Sequence, residues 1–200
     1  MASLKTLEKK QHIIQIALEI FDVHGVENTT IEMICKATST SIGSLYHHFG
    51  NKEGLAISVY LAGLENFSSR LLQQLEQCHT VQAAIDCIVD INIDWIEQHP
   101  TWAKFIFEQS HVLRAVQPKV SLKQHYDPFA QKIQRQIMSL KDSDSLQVFP
   151  PEMLSALLVG AIHTYARQWL RGQQPTAPSL LRPFFRQSIW QSLQKQIELD

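Results

Sequence analysis

This sequence of 200 residues has few glycines (7), few prolines (8) and few cysteines (3). Because glycine and proline punctuate regular structure, their scarcity favours long helices. Sustained alternation of apolar and polar residues, which would indicate strands, is scarce as well. The cysteines, Cys35, Cys78 and Cys87, are odd in number and include no Cys-x-x-Cys pair, which fits free thiols in a reducing cytoplasm.

Long apolar runs and an excess of positive charge are also missing. No run reaches the roughly 18 apolar residues of a membrane-spanning helix, and the N-terminal segment lacks the apolar centre of an export signal. A cytoplasmic protein with no membrane partner is therefore expected. The formal net charge is −1, and the first 55 residues, with five lysines and six acidic residues, are also net −1. Since nucleic-acid binders usually carry a basic surface, any DNA binding must depend on local geometry.

Apolar residues make up 44% of the chain, which is normal for a folded protein, and they repeat at helical spacing along almost all of it. The first repeat, from Ile14 to Phe21, predicts a helix that Gly25 closes. Thr29 and Glu32 have the spacing of a capping box, which predicts a short helix ending near residue 37. Further helices are predicted at about 41–48, 51–77, 80–98, 101–114, 119–141, 151–171 and 180–197.

The two short helices around residues 30–48 have the arrangement of a helix-turn-helix unit, whose second helix enters the major groove of DNA. Leu45 and Phe49 lie four residues apart in that helix and are predicted to point into the core. The hydroxyl groups, the glycine and the polar ring tips beside them suit contacts with phosphates and bases. The predicted DNA contacts are Thr30, Thr40, Ser41, Ile42, Gly43, Ser44, Tyr46, His47, His48 and Lys52.

Two adjacent histidines stand among these residues. His48 either contacts the phosphate boundary or has a structural role. Neighbouring histidines do not have the i, i+4 spacing with which a helix holds zinc. No metal site is therefore predicted at His47 and His48.

The segment TTIEMICKATSTSIGSLYHHFGNKEGL resembles the DNA-binding segment of the TetR family of bacterial repressors. In that family a helix with the pattern Ser-x-Gly-x-Leu-Tyr-x-His-Phe is followed by x-x-Lys-Glu-x-Leu. The resemblance covers about residues 10–56 and implies that Tyr46 and Lys52 contact DNA phosphates. The matching positions here are Ser41, Gly43, Leu45, Tyr46, His48, Phe49, Lys52, Glu53 and Leu55.

Two positions depart from the family's pattern. Thr38, Ser39 and Thr40 occupy a turn in which the family often has Ala-Gly-Val, although serine is tolerated in turns. Ile42 stands where the family commonly has a lysine. Isoleucine cannot contact a phosphate but can pack against the methyl group of thymine. Together with the low positive charge, Ile42 suggests weak non-specific affinity for DNA.

The resemblance further implies an all-α fold, with an N-terminal three-helix domain (residues 1–50) and a larger C-terminal helical ligand-binding and dimerisation domain (residues 51–200). For an apolar pocket with polar anchors, the candidates are Asn92, Trp95, Gln109, His111 and His163. The dimer interface is predicted in the last two long helices, with an apolar seam of Phe184, Phe185, Ile189, Leu193 and Ile197. For each of these residues, packing in the core is the simpler alternative.

The function that these features predict is a ligand-responsive, DNA-binding transcriptional regulator. It would be a repressor that binds a near-palindromic operator in double-stranded DNA as a homodimer and is released by a small-molecule effector. No cofactor is predicted, and no nucleophile–base arrangement, phosphate-binding loop or zinc motif supports an enzyme. Because of Ile42 and the neutral N-terminal region, the alternative is a helical ligand-binding or adaptor protein with weak or lost DNA binding.

Overall fold

The computed structural model describes residues 4–116, 131–146 and 149–194, and within these ranges the regular structure is helical, with no strand. The prediction of an all-α fold is confirmed. The predicted helices at 119–141 and 180–197 each extend into residues outside the described ranges. The helices are α1 (Leu4–Asn28), α2 (Ile31–Thr38), α3 (Ile42–Phe49), α4 (Lys52–Leu75), α5 (Val81–Gln98), α6 (Pro100–Val116), α7 (131–138), α8 (Pro151–Leu170) and α9 (Arg182–Gln194).

The chain divides into two compact units. The first comprises Met1–Glu65 and Thr101–Ser121, and the second comprises Asn66–Pro100 and Leu122–Asp200. The first unit is therefore larger than the predicted domain of residues 1–50, because it also contains the beginning of α4 and the helix α6. No helix in the described part of the chain is long and apolar enough to cross a membrane.

The core of the first unit forms around α1, where Ile13, Ala17 and Phe21 are buried. Their spacing of four residues places them on one face of the helix. Gly25 interrupts the helical geometry of α1 with a φ of 75°, as its predicted role at a helix end requires, because positive φ is easily adopted only by glycine.

Helix α6 packs in the same unit. The rings of Phe21 and Phe105 stack with their centroids 5.8 Å apart, and Lys104 Nζ donates a hydrogen bond to Asp22 Oδ1 over 2.7 Å. Gly63 of α4 leaves room for α6, because a Cβ atom there would lie 2.5 Å from Trp102 Cε3. Packing in this unit therefore joins segments of the chain that are far apart in sequence.

The core of the second unit forms around α5, which packs against α8 and α9. Ile85, Ile88 and Ile96 of α5 are at most 2% exposed. Ile162 of α8 is fully buried and Ile189 of α9 is 3% exposed. These branched side chains fill the space between the three helices, and their burial supplies the main stabilising term of this unit.

Ion pairs between two arginines of α9 and three aspartates of α5 join these helices. Arg182 Nη1 donates to Asp90 Oδ1 over 3.0 Å, and Arg182 also bonds to Asp94. Arg186 Nε donates to the same Asp90 oxygen over 3.2 Å and its Nη2 bonds to the other oxygen. Asp86 lies 3.7 Å from Arg186 Nε. Asp90 is thus the acceptor that both arginines share.

Candidate DNA-binding site

Helix α2 begins one residue later than the predicted capping box requires. Thr30, not Thr29, is the N-cap: its Oγ1 accepts a hydrogen bond from the Met33 backbone N–H over 3.3 Å. Thr29 is 1% exposed, and its hydroxyl donates to the Gly25 carbonyl over 2.7 Å. Glu32 is therefore the second residue of the helix, and the capping-box geometry needs the acid at the third. The predicted box is wrong, although a threonine cap is present.

The turn between α2 and α3 is stabilised by hydrogen bonds among its own residues and to the end of α2. Ser39 has a φ of 52°, in the left-handed region, where glycine is favoured. The backbone N–H of Thr40 donates to the Cys35 carbonyl over 3.0 Å. The Thr40 side chain is 7% exposed and its hydroxyl donates to the Thr38 carbonyl over 3.3 Å. This placement does not support the predicted contact of the Thr40 side chain with DNA, because the hydroxyl stabilises the turn instead.

Helix α3 has one face in the core and one in solvent. Ser41 caps it, since its Oγ accepts from the Ser44 backbone N–H over 3.3 Å. Leu45 is fully buried and Phe49 is 7% exposed, which confirms the prediction that both point into the core. A recognition helix needs the opposite face to be open.

The open face of α3 consists of Ile42, Gly43, Tyr46 and His47, which we call the α3 surface. Ile42 and Tyr46 are 46% and 47% exposed, and Gly43 and His47 are exposed beside them. Ile42 and Tyr46 are four residues apart, as are Gly43 and His47, so the members of each pair lie on adjacent turns of the helix. A Cβ atom at Gly43 would meet nothing within 4 Å, so the protomer itself does not require glycine there.

Two lysines of α1 lie beside α3, and sequence reasoning did not single them out. Lys9 Nζ donates to Ser44 Oγ over 3.1 Å, and Lys10 Nζ lies 5.9 Å from the centre of the Phe49 ring. Partial burial lowers the pKa of His48, and the charges of His47, Lys9 and Lys10 lower it further. Positive charge therefore gathers beside α3 in a region of net charge −1. The only sign of this positive charge in the sequence is the Lys9-Lys10 pair, which precedes α3 by about 35 residues.

Lys52 is half-buried, and its side chain is engaged inside the first unit. Its Nζ donates to the backbone carbonyls of Glu27 and Thr29, each over 2.9 Å. Since an ammonium group has three donors, one remains for a further acceptor. Asn51 caps α4, with Oδ1 accepting from the Gly54 N–H over 2.7 Å. Lys52 thus ties the α1–α2 junction to α4, whatever else it contacts.

Of the predicted ligand-binding residues, the structure brings Asn92 and His163 together. One ring nitrogen of His163, Nε2, hydrogen-bonds Asn92 Oδ1 over 2.9 Å, and Asn92 Nδ2 donates to the Ile88 carbonyl over 2.8 Å. Asn92 is 1% exposed. Trp95, 5% exposed, follows on α5, and its indole N–H donates to Asn66 Oδ1 over 2.8 Å.

The other two predicted ligand residues lie on α6. Gln109 is half-buried in the first unit. The side chain of His111 lies outside the described residues. Of the five predicted ligand-binding residues, the structure therefore brings together Asn92 and His163, with Trp95 on the same face of α5 as Asn92.

Burial lowers the pKa of His163 to about 4, and the neighbouring Arg167 acts in the same direction. The imidazole of His163 therefore stays neutral in the folded state until the pH falls to about 4, whereas in the unfolded state it binds a proton near the usual pKa of 6.5. The stability that neutral His163 contributes is complete above pH 6.5 and is lost as the pH falls towards 4.

We expect the free energy of unfolding to decrease by up to about 3 kcal/mol over that interval. The replacement His163→Gln, which keeps a hydrogen-bonding group, should remove most of this slope in urea titrations followed by circular dichroism. The control Val23→Ala, at an exposed position without a titrating group, should leave the slope unchanged. Equal slopes in both variants would contradict a buried neutral histidine.

The predicted dimer residues divide into two groups. Ile189 and Leu193 are 3% and 4% exposed. They are buried within their own protomer, where α9 packs on α5 and α8, so their prediction as an intermolecular seam is wrong. Phe184 is 68% exposed, and Phe185 is half-buried with its ring 6.0 Å from that of Tyr165. Ile197 lies outside the described residues.

A short capped helix, a tight turn and a second short helix with one buried and one open face define a helix-turn-helix protein. Residues 13–59 match the family described as "Bacterial regulatory proteins, tetR family". The N-terminal part of the chain is thus similar to this family of bacterial regulators.

Relatives with assigned roles match the N-terminal part of the chain. The HTH-type transcriptional regulator UidR of Escherichia coli (strain K12) is 33% identical over 82 residues, which are 41% of this chain and 42% of that protein. An HTH-type transcriptional regulator of Staphylococcus aureus (strain USA300), SAUSA300_2515, is 32% identical over 91 residues, 44% of this chain and 49% of that protein. The matches thus span about half the length of these relatives.

Solved structures match nearly the whole chain at low sequence identity. The fatty acid degradation regulator FadR from Bacillus halodurans has a TM-score of 0.70 and 18% identity, over 94% of this chain and 99% of that one. FadR from Bacillus subtilis, in complex with stearoyl-CoA, has a TM-score of 0.71 and 17% identity, over 90% and 96%. These likenesses establish that both units share the fold of such regulators.

Proposed function

We propose that this protein is a ligand-responsive transcriptional regulator, a repressor that binds a near-palindromic operator as a dimer. The observation that carries the proposal is the α3 surface. Its residues are exposed while Leu45 and Phe49 of the same helix are buried. A helix fixed in this way can lie in the major groove with its open face towards the base edges. Homology to HTH-type transcriptional regulators in this segment supports the same reading.

The residues of this region have different roles in the proposal. Ile42 packs against a thymine methyl group, and Gly43 lets the helix backbone approach the bases closely. The hydroxyl of Tyr46 and the imidazole of His47 donate to phosphates or bases. Thr30 and Ser41 keep their capping roles, and their backbone N–H groups and hydroxyls lie at helix N-termini, which favour phosphate. Thr40 stabilises the turn.

The lysines supply the positive charge that the overall composition lacks. Lys9 and Lys10 of α1 lie beside α3 and neutralise phosphates on one side of the groove, and the third donor of Lys52 reaches another. His48 stays neutral near pH 7, because its pKa is lowered, and so it adds no charge. With so few cations, the salt dependence of binding should be shallow, since its slope follows the number of phosphates neutralised.

A selection from random duplex DNA tests the proposal. We expect a near-palindromic site with half-sites about one turn, roughly 34 Å, apart. Tyr46→Phe should weaken binding to every sequence by about fivefold, the worth of one hydrogen bond. Ile42→Ala should instead relax the preference for one A·T pair, because it removes only an apolar contact. Both effects are measured by titration of labelled duplexes at fixed salt.

The control is Val23→Ala, which shortens another exposed branched side chain, 75% exposed on α1. It should leave both affinity and sequence preference unchanged. Absence of any enriched sequence at low salt would overturn the proposal and favour a helical ligand-binding or adaptor protein without DNA binding.

The dimer is proposed to form through α8 and the start of α9. Ala156, Gly160 and Thr164 stand on successive turns of α8, and a Cβ atom at Gly160 would meet nothing within 4 Å. Small residues on one face allow two helices to approach closely. Met153 and Phe184, 40% and 68% exposed, add apolar area. A second copy of the chain, related by a two-fold axis, would cover this face and form a four-helix bundle.

Gly160→Leu is expected to convert dimers to monomers without unfolding the protomer, because the space around Gly160 is open within one chain. Sedimentation equilibrium measures the change, and circular dichroism at the same concentration checks the helix content. Val23→Leu, which enlarges an exposed residue elsewhere, is the control and should remain as dimeric as the parent. A Gly160→Leu variant that dimerises normally would remove α8 from the interface.

The effector is proposed to bind in the second unit, with Asn92 and His163 as polar anchors and Trp95 beside them. These groups hydrogen-bond inside a core that is otherwise apolar, which is how ligand sites are commonly built. FadR from Bacillus subtilis was solved with stearoyl-CoA, so this fold can hold a ligand with a long apolar tail. An effector that releases DNA must bind more tightly to a conformation with the wrong half-site spacing. Thermal shifts with such ligands, followed by DNA release, test this step.

A further inference from the structure

Two of the three cysteines meet where α4 is joined to α5. Cys78 lies in the connecting turn, and its Sγ is 3.6 Å from the carbonyl oxygens of Gln74 and Ala83. Cys87 lies on α5 four residues after Ala83, so the Cys87 backbone N–H donates to the same Ala83 carbonyl in the helical pattern. The turn therefore folds Cys78 over the face of α5 that carries Cys87.

The two thiols interact directly. Burial raises the pKa of Cys87 to about 12, and the hydrogen bond between the Cys78 and Cys87 side chains contributes to the shift. Both cysteines are free thiols and half-buried rather than enclosed. Cys35, also a free thiol, belongs to α2 in the first unit. Two thiols in contact, with access to solvent, have the arrangement from which a disulfide can form.

We infer that Cys78 and Cys87 form a dithiol site that a peroxide oxidises reversibly to an intramolecular disulfide. The Cys78 thiol loses its proton to solvent, and the thiolate attacks the peroxide ROOH, which breaks the O–O bond and gives a sulfenic acid (Cys78–SOH). The leaving alkoxide takes a proton from solvent and departs as the alcohol ROH, or as water when the oxidant is hydrogen peroxide. The sulfur of Cys87 then attacks the Cys78 sulfur. The S–S bond forms, hydroxide leaves and takes the Cys87 proton as water, and two electrons have passed to the peroxide.

The order of the two steps follows from the surroundings. Cys78 lies in the connecting turn and is partly exposed, whereas Cys87 is on a helix and is protonated at neutral pH. Cys87 is therefore the resolving thiol. The disulfide would link the α4–α5 turn to the second turn of α5 and close a loop from residue 78 to residue 87. The disulfide would therefore restrict the movement of the α4–α5 turn relative to α5.

The test uses the full-length protein, reduced and then treated with a small excess of hydrogen peroxide. Both cysteines fall in one tryptic peptide, Leu71–Lys104, because no lysine or arginine lies between. We expect this peptide to lose two hydrogen atoms and to resist alkylation, while Cys35 stays fully alkylated. Free-thiol titration should fall from three groups to one and recover with dithiothreitol. Peroxide that leaves all three thiols titratable, or that oxidises Cys35 first, would overturn the inference.

Three variants separate the pair from single thiols. Cys35→Ser should show the same loss of two hydrogen atoms as the parent. Cys78→Ser and Cys87→Ser should show none, and Cys87→Ser should accumulate the sulfenic acid that dimedone traps. If dimedone instead labels the Cys78→Ser variant at Cys87, the assigned order of attack is wrong. These readouts do not involve DNA, so they stand or fall separately from the proposed function.

Discussion

Replacing Gly54 with alanine is expected to disrupt the helix-turn-helix domain. Gly54 lies in the first turn of α4, and a Cβ atom there would overlap the carbonyl oxygen of Phe49 and come within 3.2 Å of Asn51 Oδ1. The oxygen belongs to the backbone at the end of α3 and cannot rotate away. Relief requires a shift of α3 against α4, so we expect a loss of at least about 3 kcal/mol, at the upper end for overpacking. Urea unfolding of the full chain measures it.

Gly43→Ala is the matched control. A Cβ atom there meets nothing within 4 Å, and alanine is a better helix former than glycine by up to about 1 kcal/mol. The fold should be as stable as the parent or slightly more so, while DNA affinity falls if Gly43 allows close approach. Equal stability of the two variants would show that the end of α3 is not fixed against α4.

Replacing Asp90 with alanine is expected to loosen α9 from α5. Its two carboxylate oxygens accept hydrogen bonds from both Arg182 and Arg186, and the carboxylate is about a quarter exposed, at 28%. Removal leaves two partly buried guanidinium groups with fewer partners. Hydrogen bonds to charged groups contribute about 1.5–3 kcal/mol each when intact. Allowing for solvent, we expect a loss of about 2–3 kcal/mol in the free energy of unfolding.

Asp86→Ala is the corresponding control, because it removes a carboxylate from the same face of α5 that has weaker contacts: Arg186 Nε lies 3.7 Å away, and Gln82 Nε2 donates to Asp86 Oδ1 over 3.3 Å. A pair of that kind contributes at most about 1 kcal/mol. The difference between the variants should appear in thermal unfolding and persist in moderate salt. If Asp86→Ala destabilises the protein as much as Asp90→Ala, the shared acceptor is not the centre of the network.

Features set by neighbouring residues could be predicted from the sequence. The sequence predicts the boundaries of α5 and α8 to within one residue, since apolar periodicity and end signals are local. The burial of Leu45 and Phe49 and the cap by Asn51 follow from the same kind of pattern. The sequence predicts the N-cap of α2 one residue too early, because Thr29 and Thr30 carry equivalent hydroxyl groups. The choice of Thr30 depends on Thr29 finding a buried acceptor at Gly25.

The sequence by itself determined that the protein is helical, that it carries a helix-turn-helix, and which residues of α3 face the core. Only the tertiary structure decided where distant groups meet. In the folded chain Lys9 hydrogen-bonds Ser44, Ile189 is buried in its own protomer, and Asp90 accepts hydrogen bonds from two arginines. The reason is physical: helical periodicity fixes which residues share a face, but the partner of that face is chosen by packing among segments that the chain separates by tens of residues.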